Sequence, residues 1–236
     1  MKRLDIIYED NSCIVINKPA GLAVQGGKGV GISLDSILAQ TWPQRPLLVH
    51  RLDRDTSGLV LVAKTKAAAA EFSRLLRGEG NAAGGAAGKT VIKRYRAVCK
   101  GKPVQPEGII KADLAIHGTV KKSETRYRLI SGTEEFSLVE LELGTGRMHQ
   151  IRRHLAMLGN PVLGDDKYGD FDLNHTLRKT MKLHHLLLHA ACLIIPETPD
   201  GLRLELTAPL PDYFQPFVIQ PPKTPFHSLD TFAPKW

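Results

Sequence analysis

The sequence predicts an α+β protein built on a large, mixed but mainly antiparallel β-sheet with flanking helices. Two observations carry this. Short apolar segments bounded by turns dominate the chain: "DIIYE", "CIVIN", "LVLVA", "YRAV", "RYRLI", "SLVELEL", "CLIIP" and "LRLELT". Two of them alternate cleanly. Val139, Leu141 and Leu143 fall on one side of "SLVELELG" with Glu140 and Glu142 on the other, and Leu202, Leu204 and Leu206 repeat the pattern in "LRLELT". Such alternation suits antiparallel sheet with one wet face. Helical patterning is confined to "SLDSILAQ" (33–40), "KAAAAEFSRLLR" (66–77), "HQIRRHLAML" (149–158) and "LRKTMKLHHLLL" (177–188), so strands outnumber helices.

With 236 residues, 42 % of them apolar, the chain can bury one large domain or two small lobes. The expected domain runs from 1 to 218, interrupted by a Gly/Ala-rich loop at 78–89 that reads as mobile. The segment 219–236, with four prolines and no periodicity, is expected to be extended or disordered. No apolar run approaches the ~20 residues that span a bilayer. The start, "MKRLD", lacks the apolar stretch of a signal peptide. A soluble, cytoplasmic, monomeric protein with no membrane partner is the expectation. Cys13, Cys99 and Cys192 each sit inside an apolar run and read as buried free thiols. No CxxC spacing suggests a metal.

The net charge is +8, from 32 basic and 24 acidic residues. It favours a polyanionic partner. The charge gathers in "KRYRAVCKGK" (93–102), "VKKSETRYR" (120–128) and "GRMHQIRRH" (146–154). On a strand, Arg94 and Arg96 share one face, as do Arg126 and Arg128. Lys121 and Lys122 add to the second segment, Arg147 and His149 to the third. Aromatic residues are only 6 % of the chain, too few for a single-strand stacking platform, so contact with the shape and phosphates of folded RNA fits better.

Several motifs invite chemistry that they do not sustain. "GGKGVG" (26–31) lacks the Gly-Lys-Ser/Thr ending of a phosphate loop. "ELGTGRMHQIRRHL" runs from strand to helix, but His149 occupies the place of the third glycine of a dinucleotide fold. His185 and His189 would lie one helical turn apart, with no acidic ligand at suitable spacing, and read as core or helix-end histidines. In "HQIRRHL", His149 and Arg152 stand at i and i+3 on one helix face. The preceding "GTGR" would offer backbone amides and Arg147 to an anion.

The stretch "LVHRLDRDTSGLVLVAKT" (48–65) is a polar loop between two apolar runs. "DTSG" is similar to an aspartic-protease turn, but that chemistry needs two such aspartates and the chain has one copy. Asp53 and Asp55, at i and i+2, suit the paired carboxylates of a hydrolase. Alternatively, Asp55 caps the turn through backbone amides.

"HRLDRDTSGLVLVAKT" resembles the catalytic signature of the RluA-type pseudouridine synthases. "IIYEDNSCIVINKPAGLAVQGG" resembles the family's first strand pair and its Lys-Pro-x-Gly turn. "KRYRAV" resembles the segment carrying the family's active-site tyrosine. "GRMHQIRRHLAMLGNPVLGDDKYG" and "LLLHAACL" resemble its third motif and the strand beyond. The blocks keep the family's order from about residue 5 to 210. Met148 stands where the family usually has threonine or serine, and the S4-type RNA-binding domain that many relatives carry ahead of these blocks is expected to be absent.

The resemblance implies a two-lobed sheet domain with an RNA cleft, working without metal or organic cofactor. It also implies an isomerase that breaks the N1–C1′ bond of uridine and joins C5 to C1′. Such a reaction needs a carboxylate at the sugar, a base for the C5 proton and a flipped-out target. By resemblance Asp53 is the carboxylate, Tyr95 lies near C5, Arg152 pairs with Asp53, and Arg51 fills the gap left by the flipped base. His50, Thr56, Ser57 and Gly58 shape the loop. His50, Arg51, Arg94, Arg96, Lys121, Lys122, Arg147 and His149 are the expected RNA contacts. "SETRYR" and "GDDKYGD" look most like members acting on large-subunit ribosomal RNA. Transfer RNA as substrate, or a non-catalytic RNA-binding module of this fold, are the alternatives.

Overall fold

A computed structural model describes residues 4–27, 29–79, 90–116 and 118–218. Most of the Gly/Ala-rich loop and the whole of 219–236 lie outside the described residues. The elements are β1 (Asp5–Glu9), β2 (Cys13–Lys18), α1 (Leu34–Thr41), β3 (Leu47–Leu48), β4 (Ser57–Ala63), α2 (Lys66–Leu76), β5 (Ile92–Lys100), β6 (Glu107–Ile116), β7 (Thr119–Gly132), β8 (Phe136–Leu143), α3 (Gln150–Met157), α4 (Phe171–Thr180), β9 (Leu188–Ile195), β10 (Leu204–Thr207) and a 3₁₀ helix (Asp212–Phe217).

All ten strands join one sheet, in the order β1-β2-β4-β9-β5-β8-β7-β6, with β3 beside β4 and β10 beside β9. Every pairing is antiparallel except β4 with β9, which touch in parallel at only two residue pairs, Ser57 with His189 and Gly58 with Ala190. The two halves of the expected lobed domain therefore meet at this narrow joint. Gly58 makes it possible: its φ is +107°, and a Cβ there would lie 2.2 Å from the Ala190 carbonyl oxygen.

One face of the sheet packs on α1 and α3 through Leu34, Leu38, Ile151 and Leu155. The other packs on α2 through Phe72 and Leu75, and on α4 and the 3₁₀ helix through Leu177, Phe214 and Phe217. Local capping matches the sequence. Ser33 and Ser36 cap each other's backbone N–H groups at the start of α1, Thr65 caps α2, and Asp170 caps α4.

Three sequence expectations are corrected. The helix expected over 177–188 is displaced: α4 starts at its Asp170 cap and ends at Thr180, Lys182 turns left-handed with φ +56°, and Leu188 already belongs to β9. His185 and His189 are thus not helical neighbours. His185 lies against the Tyr213 ring, and His189 is buried on β9, bonded to Ser57 Oγ at 2.9 Å. Strand β6 had no recognised signal, yet forms a long hairpin with β7. The face of β8 expected to be wet is largely covered: Glu140 is buried and meets Arg128 at 3.0 Å and Arg96 at 3.9 Å. All three cysteines are free and buried.

Candidate active site

The polar loop 49–56 leaves β3 and enters β4 at the sheet joint. Leu52 is buried in the core and pins its middle. The His50 ring accepts the Leu61 N–H through Nε2 at 2.9 Å, spanning the loop. Desolvation first, then the nearby Lys93 cation, pushes the His50 pKa down to about 3, so the ring is a neutral acceptor. The Thr56 N–H donates to the Asp53 carbonyl and closes the turn. Asp55 is exposed, and among the described residues no backbone N–H donates to its carboxylate; the turn-capping reading does not hold.

A second clamp comes from the Lys-Pro-x-Gly turn. Lys18 is wholly buried, and its Nζ donates to the carbonyls of Pro19, Leu22 and Arg54 at 3.0, 2.8 and 3.0 Å. Burial pulls its pKa down to about 8 against the opposing charges of Asp55 and Asp53. The Gly21 N–H also donates to the Arg54 carbonyl, and Arg54 Nε to the Gly21 carbonyl. The residue after Asp53 is therefore held by its backbone.

Helix α3 brings the other half of the site. Buried Gln150 accepts from Thr145 Oγ1 and the Arg147 N–H, and donates to Thr125 and the Glu124 carbonyl, fixing the "GTGR" turn against β7. His149 precedes the helix in left-handed backbone (φ +53°) and caps nothing. Its ring faces the loop instead: Nε2 lies 3.7 Å from Asp53 Oδ1 and Nδ1 3.1 Å from the Tyr168 hydroxyl. Burial lowers its pKa despite Asp53, so this contact is that of a neutral ring.

Buried Arg152 places Nη1 3.7 Å from Asp53 Oδ2, as expected. Its main partner is one the sequence reading missed. Nε and Nη2 each meet the Asp165 carboxylate at 2.7 Å in a bidentate pair, with Asp166 at 3.3 Å and the Tyr168 ring beneath at 5.4 Å. The only advance signal was the "GDD" of the third motif.

Tyr95, on β5, completes the wall. Burial first, then the Asp53 charge, pushes its pKa well above the ordinary tyrosine value, so it rests as a phenol. Together these groups line a cleft of about 270 Å³ with His50, Arg51, Lys93, Gly146 and Arg147. Arg51 and Arg147 are exposed at its mouth, and Lys121 and Lys122 are exposed on β7, where the Lys122 carbonyl lies 3.5 Å from Arg147 Nε. Met148 is exposed outside the cleft.

Arg94 and Arg96 are not at this surface. Strand alternation turns Tyr95 and Lys93 into the cleft and these two arginines to the opposite face, where Arg94 is buried 3.2 Å from Glu142 and Arg96 faces Glu140. They serve a buried ion-pair ladder rather than RNA. Among the described residues no group of three His, Cys, Asp or Glu side chains is placed to hold a metal. No described helix is long and apolar enough to cross a membrane.

The joint sheet, with a carboxylate, an arginine and a buried tyrosine around one cleft, is the frame that comparison with known proteins assigns to a class of RNA-modifying isomerase. Residues 12–157 match the family model for RNA pseudouridylate synthase. The chain is 37 % identical over 224 residues to the ribosomal large subunit pseudouridine synthase C of Rickettsia bellii, covering 89 % of this chain and 69 % of that protein. It is 33 % identical to the uncharacterized RNA pseudouridine synthase YlyB of Bacillus subtilis, covering 89 % and 70 %. The solved structure of human RNA pseudouridylate synthase domain containing 4 superposes with a TM-score of 0.71 at 28 % identity, covering 89 % and 90 %. The chain belongs to the RluA-type RNA pseudouridylate synthase family and is a pseudouridine synthase, an isomerase.

Proposed function

We propose that the chain isomerises specific uridines in structured large-subunit ribosomal RNA, with Asp53 as the carboxylate that acts on the sugar. The observation that carries this is the position of Asp53, its two oxygens 3.7 Å from Arg152 and His149 in the cleft that Tyr95 also lines. At about 270 Å³ the cleft is just below the ~300–1,000 Å³ of ordinary ligand pockets, which suits a single nucleotide entering alone. Asp53 attacks C1′ or takes the C2′ proton, and the N1–C1′ bond breaks. The freed uracil turns and C5 joins C1′, as the Asp53–C1′ bond breaks or as Asp53 returns its proton to C2′, so that Asp53 is again a carboxylate. C5 must then lose its proton. Because Tyr95 rests as a phenol, its oxygen takes the C5 proton as its own proton passes to the Asp53 carboxylate. Asp53 gives that proton to N1, which regenerates the carboxylate, and the count closes without an electron entering or leaving.

Arg51 and Arg147 at the mouth, with Lys121 and Lys122 beyond, meet phosphates, and Arg51 fills the space the flipped base leaves. The name of the Rickettsia relative supports ribosomal RNA as the substrate. The test uses RNA from cells lacking the gene, treated with purified protein. Wild type is expected to create pseudouridine in large-subunit ribosomal RNA. Folded Asp53→Asn, binding RNA as wild type does, is expected to create none, a loss of several powers of ten at about 1.4 kcal/mol of barrier each. An active Asp53→Asn protein removes Asp53 from the chemistry, and product confined to transfer RNA removes the ribosomal assignment.

A further inference from the structure

We propose that Lys93 is the cation that binds the C4 carbonyl oxygen of the target uracil and stabilises the charge that collects there as C5 gives up its proton. This rests on the reading of the cleft given above.

Lys93 lies two residues before Tyr95 on β5, so both side chains turn into the cleft, and Leu143 of β8 lines the same wall. Its Nζ sits over the "GTGR" turn: a Cβ on Gly146 would lie 3.7 Å from it. Its other neighbour is the neutral His50 ring. Among the described residues, no carboxylate lies within ion-pair distance of Lys93 and no acceptor takes a hydrogen bond from it. Burial lowers its pKa with no opposing anion.

Among the described residues, the buried cations nearby each have a partner. Arg152 has Asp165, Arg94 has Glu142, and Lys18 has three carbonyls. Lys93 is half-buried, and a partly desolvated cation with no anion beside it is expected to find its partner in the ligand. RNA offers two kinds of oxygen, those of phosphate and those of the base. Exposed Arg51 and Arg147 already meet phosphate at the mouth, whereas Lys93 stands beside Tyr95, where the base must sit. C4 adjoins C5, so a cation next to the group that takes the C5 proton is within reach of O4.

The chemistry gives that cation a task. When the C5–H bond breaks, the proton goes to the Tyr95 oxygen and the electron pair spreads from C5 onto O4 and N1. The Tyr95 hydroxyl proton has meanwhile passed to Asp53, which gives it to N1, and the ring is a neutral uracil again. A fixed cation at O4 favours this transition state over the ground state, in which O4 carries only a partial charge.

The experiment compares wild type, Asp53→Asn, Lys93→Met and Lys93→Arg in single turnovers at saturating protein, on RNA carrying hydrogen or deuterium at C5 of the target uridine. Lys93→Met is expected to be slower by about 100- to 1,000-fold, the usual loss for one oxyanion donor. Its affinity for RNA should be unchanged, and its C5 isotope effect larger than wild type, because C5 deprotonation has become limiting. It should melt at or above the wild-type temperature, since an unmatched ammonium has been replaced by an apolar side chain of similar length. Lys93→Arg should recover part of the rate. Weakened binding with a shallower salt dependence and a normal saturated rate would make Lys93 a phosphate contact and overturn the proposal. A slow Lys93→Met with an unchanged isotope effect would also overturn it. An inactive Asp53→Asn beside a fully active Lys93→Met overturns Lys93 alone; an Asp53→Asn protein as active as wild type overturns the reading of the cleft and the Lys93 proposal with it.

Discussion

Replacing Asp165 by asparagine removes the charge that holds Arg152 in place. The Asp165 carboxylate is buried and accepts two bonds of 2.7 Å from Arg152 and two of 2.9 Å from the backbone N–H groups of Lys167 and Tyr168. Burial pushes its pKa up, but Arg152 and the two amides outweigh burial and hold it below the ordinary carboxylate value. In the variant, buried Arg152 keeps only exposed Asp166 at 3.3 Å and Asp53 at 3.7 Å as charged partners. Removing one member of a buried pair costs about 3–5 kcal/mol. Asparagine still accepts from the amides, so the lower end, about 3 kcal/mol, is expected. In a chain of this size each kcal/mol moves the melting temperature by about 2–4 °C, giving a fall of about 6–12 °C.

The catalytic consequence follows from the same geometry. Arg152, no longer tethered, has Asp53 as its nearest charged acceptor inside the cleft. A guanidinium that closes onto Asp53 takes the carboxylate away from the sugar, so the single-turnover rate should fall while RNA affinity stays. Thermal melts and saturated single turnovers of Asp165→Asn and Asp165→Glu decide the matter. The glutamate keeps the charge and should recover part of both quantities. An Asp165→Asn protein that melts with wild type and modifies RNA at the wild-type rate refutes the assignment of Asp165 as the residue that positions Arg152.

Gly58→Ala should cost about 3 kcal/mol or more, because strained backbone is combined with a Cβ driven into the Ala190 carbonyl; normal melting would disprove the tight β4–β9 joint. His189 is buried with its pKa lowered to about 4 by burial, so the folded protein binds fewer protons than the unfolded chain between that value and ~6.5. Stability present above pH ~6.5 should be lost as the pH falls toward 4, by about 3 kcal/mol from this ring; a urea midpoint that is flat over this window would show that the ring is not held neutral. Lys121→Gln with Lys122→Gln should weaken RNA binding and flatten its salt dependence while leaving the saturated rate alone; a collapse of that rate would place these lysines in the chemistry instead.

What the sequence makes legible follows from how local each signal is. The loop 48–65 stands out because nothing in packing explains two arginines, two aspartates and a histidine between two apolar runs. The caps Ser33 and Thr65 act within three residues and can be read directly. Strand β9 is harder. "LLLHAACL" contains no β-branched residue, and its pairing partners come from the distant β4 and β5, so its leucines read as a continuing helix. Arg94 and Arg96 show a second limit. Alternation puts them on one face, but which face meets the cleft depends on α3 packing against Tyr95 and Leu141, and that is a tertiary fact. The same parity that hides these arginines exposes Lys93. Asp165 has no periodicity at all; its role exists only because the turn after α3 folds back beneath Arg152.

The distribution of charge around the cleft bears on how a neutral base is handled by a basic protein. Arg152 is matched by Asp165, His149 and His50 are neutral, and Tyr95 is a phenol. Among the described residues, the inner wall therefore carries one anion, Asp53, and one unmatched cation, Lys93. The positive excess proposed to attract RNA stays outside, on exposed Arg51, Arg147, Lys121 and Lys122. Phosphate is held at the mouth by that excess and gains little by going deeper, where Asp53 repels it. An uncharged uracil crosses the same boundary without electrostatic cost. In the proposed reaction the two opposite charges act at the two ends of the rearrangement, Asp53 at the sugar and Lys93 at the carbonyl next to C5. On the proposed mechanism, separating attraction from chemistry in this way lets the same basic surface bind many phosphates while the cleft admits only the flipped base.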